Sequence, residues 1–323
     1  MEQPPFSTGL LQHLSPTERG AVERFFSAVS FAEGSYLYRR GAPADGCFLI
    51  AAGHVALEAM LPSVGDITTE TLGPGDIAGE SILLRPSPRT ESAKAISAVR
   101  AYFVDAQSVS TLKSLLGPPH TQLLQPFAAG LARRLQEFAR LTPIAALAGD
   151  STIPAPALGA AESPGCHFDI APFLPILPCF KEFSRLDLQQ LLEGSLLWEL
   201  PRGRKLFSLG EDSRTVHFIL RGAAETRMPQ QPEGRRLQLL GPGRILDPAE
   251  LVLGVPHNVD CRIREAAVVL TFERTRFERL FDDKHSLATK ILQSATTELL
   301  LRLDRVRRMV ATRGITLQLN LAM

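Results

Sequence analysis

Residues 73–95 read GPGDIAGESILLRPSPRTESAKA, and residues 241–263 read GPGRILDPAELVLGVPHNVDCRI. Each stretch opens on Gly-Pro-Gly, passes an acid inside a short apolar run, and reaches a proline followed by a basic residue, Arg89 in the first and His257 in the second. The match continues upstream. RRGAPADGCFLIAAGHV (39–55) resembles SLGEDSRTVHFILRGAA (208–224), and ETLGPGDI (70–77) resembles LQLLGPGRI (237–245). Gly41, Gly53 and Gly75 recur as Gly210, Gly222 and Gly243, spaced by roughly 169 residues, so one structural unit is present twice.

The elements have the same order in both halves. A short helix comes first, in PTERGAVERFF (16–26) and SRLDLQQLLE (184–193), each with Ser ahead of it and an acid early in it. Short strands with glycine turns follow. In the first half they are SYLYRR, CFLIAAG, HVALEAML, ITTETL and the long alternation SAKAISAVRAYFVD. Strands this short and this closely spaced predict an antiparallel barrel or sandwich. Each half closes on a one-faced helix. Leu124, Phe127, Leu131, Leu135, Phe138 and Leu141 form the stripe of residues 120–141. Leu287, Ile291, Ala295, Leu299, Leu303, Val306 and Val310 form that of 286–310. The predicted domains are therefore 1–143 with end helix 120–141, a Pro/Ala/Gly/Ser-rich linker 144–167, and 168–311 with end helix 286–310. A short tail strand is predicted at 312–323, where ITLQLNL alternates.

Composition bounds the function. At about 150 residues per domain, 323 residues suggest two domains. Lys and Arg total 35 against 34 Asp and Glu, a net charge of +1, which disfavours a protein that lives on DNA. The basic side chains Arg302, Arg305, Arg307 and Arg308 read as a solvated helix face. No apolar run is long enough for a membrane span, and the N-terminus lacks the basic start of a signal peptide. Cys47, Cys166, Cys179 and Cys261 form no C-x-x-C pair, so buried thiols in a reduced, cytoplasmic chain are expected and a metal site is not. No nucleophile–base order and no phosphate loop argue for catalysis.

The first cassette has the parts of a phosphate site. Gly79 permits close backbone approach. Glu80 to Leu84 would form one helical turn, and Glu80 would accept from a sugar hydroxyl. Arg89 offers a fork for two phosphate oxygens. Thr90 and Ser92 would share one side of a strand, with Glu91 facing away. A surface loop with a Glu–Arg ion pair is the competing reading.

These residues resemble the phosphate-binding cassette of the cyclic nucleotide-binding domain superfamily, with Gly79, Glu80, Ile82, Leu83, Leu84, Pro88, Arg89 and Ser92 carrying the match. The resemblance implies a mainly β fold with flanking helices: two jelly-roll (double-stranded β-helix) cyclic nucleotide-binding-like barrels, each followed by a long helix. It implies a ligand site of Gly79, Glu80, Ser81, Ile82, Pro88, Arg89, Thr90, Ser92 and Phe138. In the family the Glu holds the ribose 2′-hydroxyl and the Arg the cyclic phosphate. Thr90 is a hint of cGMP, and Phe138 stands where catabolite activators place an adenine-contacting hydroxyl. The ligand implied is a cyclic nucleotide, cGMP or cAMP, with cyclic di-GMP or a related small phosphate also open. The second site is degenerate: His257 replaces the Arg, and Asp247 and Pro248 stand where Gly and Glu are expected. A shift of the alignment brings Glu250 into the Glu role. With no helix-turn-helix domain in view, the implied protein is a non-enzymatic regulator that signals to a protein partner. Its end helices would pair as a pseudo-dimer in cis or in a homodimer. The alternative is a ligand-free double-barrel scaffold or adaptor.

Overall fold

The alternation in Val55–Leu61 puts Val55, Leu57 and Ala59 on a buried face, and the residues around it supply matching partners. The computed structural model describes residues 23–61, 65–83, 88–115, 125, 128–136, 170–228, 235–283 and 285–313. Two compact units divide the chain, with breaks between Thr142 and Pro143 and between Leu299 and Leu300.

In unit 1 the strands are β1 (Ser27–Phe31), β2 (Tyr36–Tyr38), β3 (Gly46–Ala52), β4 (Val55–Leu61), β5 (Gly65–Leu72), β6 (Ile77–Ala78), β7 (Ser92–Ala95) and β8 (Val99–Asp105). They form two antiparallel four-stranded sheets, β1-β8-β3-β6 and β2-β7-β4-β5, in the jelly-roll arrangement. Leu37, Phe48, Ile50, Val55, Leu57, Leu72, Ala93 and Val99 fill the space between them. Helix α1 (Ala106–Leu115) follows β8, and residues 128–136 form helix α2, the described part of the predicted end helix.

Unit 2 repeats the plan after two 3₁₀ turns (Ala171–Ile176 and Pro178–Phe180) and α3 (Arg185–Glu193). Ser184 caps α3 through a reciprocal box with Asp187, as the Ser-x-x-Asp spacing predicts. Strands β9 (Ser195–Leu200), β10 (Lys205–Phe207), β11 (Thr215–Met228), β12 (Arg235–Leu240), β13 (Arg244–Leu246) and β14 (Asp260–Glu273) form one six-stranded network. Helix α4 (Pro248–Leu253) lies between β13 and β14, and α5 (Arg274–Asp282) and α6 (Ser286–Arg313) end the described chain.

Three expectations are corrected. The alternation of residues 92–105 is not one strand. It breaks at 96–98, where the chain turns from one sheet to the other and His54 N–H donates to Ser97 Oγ at 2.9 Å. Glu91 does not face away: it is buried, on the same parity as the inward Ala93 and Ala95. The helix that begins in unit 2 at Ser286 runs through Arg313, so the first residues of the predicted tail strand are helical. The rest of that strand and most of the predicted helix 16–26 lie outside the described residues.

The corners explain why unit 2 has 14-residue strands where unit 1 has pairs of shorter ones. Gly53 (φ +82) and Gly222 (φ +75) occupy the same corner, and a Cβ at either would overlap a carbonyl, of Ala98 or Ala266. In unit 1 the corner interrupts the ladder. In unit 2 it is absorbed as bulges between Ile219 and Ala224, and β11 stays continuous.

Candidate functional site

The sequence GPGDIAG builds the approach to the site. Gly73 N–H donates to Asp76 Oδ2 at 2.8 Å, and Gly75 N–H donates to Ile50 O at 2.8 Å, which pins the turn onto β3. Burial is the main influence raising the Asp76 carboxyl, opposed by the Gly73 amide. The short β6 then delivers Gly79 at φ +80 to the start of the predicted turn, observed as a 3₁₀ turn over Glu80–Leu83. Ten residues on, the backbone of Arg89 is clamped to the turn after β2: Gly41 N–H donates to Arg89 O at 2.8 Å, and Arg89 N–H to Ala42 O at 2.9 Å.

The Arg89 side chain is buried inside the barrel wall. Its guanidinium carbon lies 4.3 Å from the centroid of the Tyr38 ring, a cation–π contact. Nη1 donates to Gly79 O at 3.3 Å. Nη2 donates to Gly46 O at 2.5 Å and to Asp45 Oδ1 at 3.2 Å. Nε is buried without a hydrogen-bond partner among the described residues. Gly79 and Arg89 are thus in contact, and a Cβ at 79 would overlap the guanidinium.

Glu80 is buried at 2% exposure, and its Oε1 accepts from Arg134 Nη1 at 3.1 Å. Arg134, on α2, also forms a two-point pair with Glu70 of β5: Nη2 donates to Oε2 at 2.7 Å and Nε to Oε1. Sequence reading passed over Arg134 and Glu70. The available signal was position: Arg134 stands three residues after Leu131 and one before Leu135, on the edge of the apolar stripe.

The other expected residues are spread more widely. Ile82 is buried, Ser81, Pro88 and Thr90 are exposed, and Ser92 is half-buried with its Oγ accepting from Arg40 N–H at 3.0 Å. Phe138 lies outside the described residues. Cys47 sits beside this group. Burial pushes its thiol up to about 12, with Glu80 adding to the shift and Arg89 opposing it, so it is a thiol at neutral pH and a poor nucleophile.

In unit 2, His257 lies flat on Phe207 with ring centroids 3.8 Å apart at 9°. Its Nδ1 is 2.8 Å from Asp247 Oδ2, and since a carboxylate oxygen only accepts, Nδ1 carries the proton. Asp247 is in the left-handed region at φ 48. Glu250 is buried in α4. His217 also stacks on Phe207, with ring centroids 6.0 Å apart, and lies between the hydroxyls of Thr215 and Thr271. Burial, with a smaller contribution from His257, takes its pKa down to about 3. Arg244 pairs with Glu298 of α6 through two contacts of 2.5 and 2.7 Å. Among the described residues no group of three or more His, Cys, Asp or Glu side chains could hold a metal ion. No helix there is long and apolar enough to cross a membrane.

The profile of the family described as cyclic nucleotide-binding domain matches residues 28–114 and 197–284. The chain is 29% identical over 133 residues to the CRP-like cAMP-activated global transcriptional regulator of Mycobacterium tuberculosis, covering 41% of this chain and 59% of the relative. It is 30% identical over 109 residues to the cAMP-dependent protein kinase regulatory subunit of Emericella nidulans, covering 34% of this chain and 25% of that one. The regulatory domain of Toxoplasma gondii PKA, crystallised with cAMP, aligns over 90% of this chain and 92% of its own at 13% identity, with a TM-score of 0.34.

Proposed function

Because the chain belongs to the cyclic nucleotide-binding domain family, we propose that unit 1 senses a cyclic nucleotide, cAMP or cGMP, and that the chain passes the signal to a protein partner by contact. Arg89 supports this most. A buried guanidinium stacked on Tyr38, one nitrogen without a partner among the described residues and another held by a mostly exposed acid, is poised to exchange that acid for a phosphate. The Asp45 side chain is 72% exposed, so its carboxylate returns to water at little cost when a cyclic phosphate takes the fork. Glu80, its charge offset by Arg134, is left to accept from a ribose hydroxyl.

Arg134 also supplies a route outward, since it joins the cassette acid to α2. A ligand that binds one pose of α2 more tightly than another shifts the population of poses by that difference in affinity. We read the chain as a non-enzymatic regulator, and as cytoplasmic from cysteines that form no C-x-x-C pair. The experiment is calorimetric titration of the full-length protein with cAMP, cGMP and cyclic di-GMP. Heat with one of the cyclic mononucleotides is expected, lost in Arg89→Ala and weakened at least tenfold in Arg89→Lys, which keeps the charge but not the fork. Silence of the unaltered protein toward all three would replace sensing with a ligand-free scaffold or adaptor.

A further inference from the structure

We propose that unit 2 carries its own anion: the Asp247 carboxylate fills, from within the chain, the place at which the unit 1 cassette faces a ligand's charge. The cassettes correspond residue by residue at the offset of the duplication, Tyr38 to Phe207, Gly79 to Asp247 and Arg89 to His257. Their backbones are pinned alike. Gly210 N–H donates to His257 O at 2.7 Å and His257 N–H to Glu211 O at 2.9 Å, as Gly41, Arg89 and Ala42 do in unit 1. The nitrogen-bearing side chain keeps its aromatic platform in both, Arg89 over Tyr38 and His257 over Phe207. The difference lies in what meets it. In unit 1 position 79 has no side chain. In unit 2 position 247 sends a carboxylate oxygen to 2.8 Å from His257 Nδ1.

Two further observations favour a retained feature over drift. Asp247 is the non-glycine residue with positive φ among the described residues, in the region Gly79 occupies, so the turn kept its shape and gained a side chain. His257 and Arg89 are equally buried, at 3% and 2%, but the acid on His257 is itself 3% exposed where Asp45 on Arg89 is 72% exposed, so Asp247 has no ready exchange with water. Pro248, next in the chain, has no N–H to offer an anion at the position of Glu80. Unit 2 is therefore held in one state by its own acid, whatever unit 1 binds.

Trp198, the only tryptophan, packs against the unit 2 core, so its fluorescence follows the unfolding of that unit in the full-length chain. Asp247→Gly should lower the urea midpoint read by Trp198, although glycine suits the backbone better. Sodium formate should restore most of the loss saturably, beyond the effect of equal sodium chloride. The unaltered protein should not respond, and Asp247→Gly with His257→Phe should be indifferent to formate. A midpoint for Asp247→Gly at or above the unaltered value would overturn the proposal. So would formate acting no differently from chloride, or a formate effect that survives in the double variant. If Asp247→Gly does not fold, Asp247→Asn decides: a lowered midpoint unmoved by formate supports a charged plug, and an unchanged midpoint overturns it.

Discussion

At position 79 the backbone sits at φ +80 and a Cβ would overlap the Arg89 guanidinium, so Gly79→Ala is strained twice. The left-handed backbone alone costs about 1–2 kcal/mol for an L side chain. Gly34→Ala is the control, because it has φ +83 with open space around it. Urea unfolding should show a larger loss for Gly79→Ala than for Gly34→Ala, and calorimetry should show weaker nucleotide binding for Gly79→Ala alone. Unit 2 supplies a pH prediction. His217 titrates near 6.5 in an unfolded chain and at about 3 in the fold, where burial and then His257 disfavour its charge. Above about 6.5 it is neutral in both states and contributes no pH dependence. Below that the unfolded chain takes up a proton the fold refuses, and stability is lost progressively down to about 3, at about 2 kcal/mol between pH 6.5 and 5. His217→Gln retains a partner for the Thr215 and Thr271 hydroxyls without the titration. The fall in the Trp198-detected urea midpoint from pH 7 to 5 should therefore be smaller in that variant, and an equal fall would assign the acid sensitivity to other groups. The residues of the first cassette were legible because Gly, Glu and Arg each have a role tied to residue type. The Asp247–His257 pair was not, since each substitution taken singly reads as a loss of phosphate affinity, and only the fold brings the two losses into one bond.

Periodicity made the elements legible where a residue type repeats on one face. The capped helix after Ser184 and the strands of unit 1 follow from it. The break at 96–98 does not, because AKAISAVRAYFV alternates straight through a corner that is set by contact with Gly53 and His54, distant in sequence. Arg134 was hidden for a related reason. Of the adjacent Arg133 and Arg134, the first is exposed and the second turns inward, and the helical stripe does not say which acid from β5 or the 3₁₀ turn will meet it. Arg134→Leu keeps the apolar bulk but removes the cation between the part-buried Glu70 and the buried Glu80. Breaking a buried pair in this way costs about 3 kcal/mol or more. Adding Glu70→Gln and Glu80→Gln should recover a large part of that loss in urea unfolding. If Arg134→Leu is nearly neutral, Arg134 is not what ties α2 to the cassette. Unit 2 makes the equivalent connection with the charges reversed, base on β13 and acid on α6. The repeats thus share a tie between barrel and helix but not its positions, since at the offset of the duplication Arg244 matches Asp76 and Glu298 matches Gly130.

At the scale of the whole chain, duplication was legible from glycine spacing alone, because turns with φ above zero tolerate few other residues. Divergence between the copies is what assigns them different work. Unit 1 keeps a small residue at 79 and a permanent cation at 89, whereas unit 2 has an acid and a histidine at the matching places, bonded to each other. Two barrels of one ancestry should then bind one equivalent of nucleotide. Titration of the full-length chain should saturate at a single equivalent, Arg89→Ala should remove all of it, and His257→Ala should leave it whole. Thermal unfolding adds an independent check on which barrel is occupied. Saturating nucleotide stabilises the unit it binds by RT ln(1 + [L]/Kd), about 2.7 kcal/mol at a hundredfold excess over Kd. A calorimetric scan should therefore show its upward shift in Arg89-competent protein, and the Trp198 signal, which follows unit 2, should move less. Two equivalents, or a shift read by Trp198 that persists in Arg89→Ala, would mean that Asp247 leaves its place when nucleotide is offered. The second barrel would then be a working site with a displaceable acid, the role assigned to Asp45 in the first.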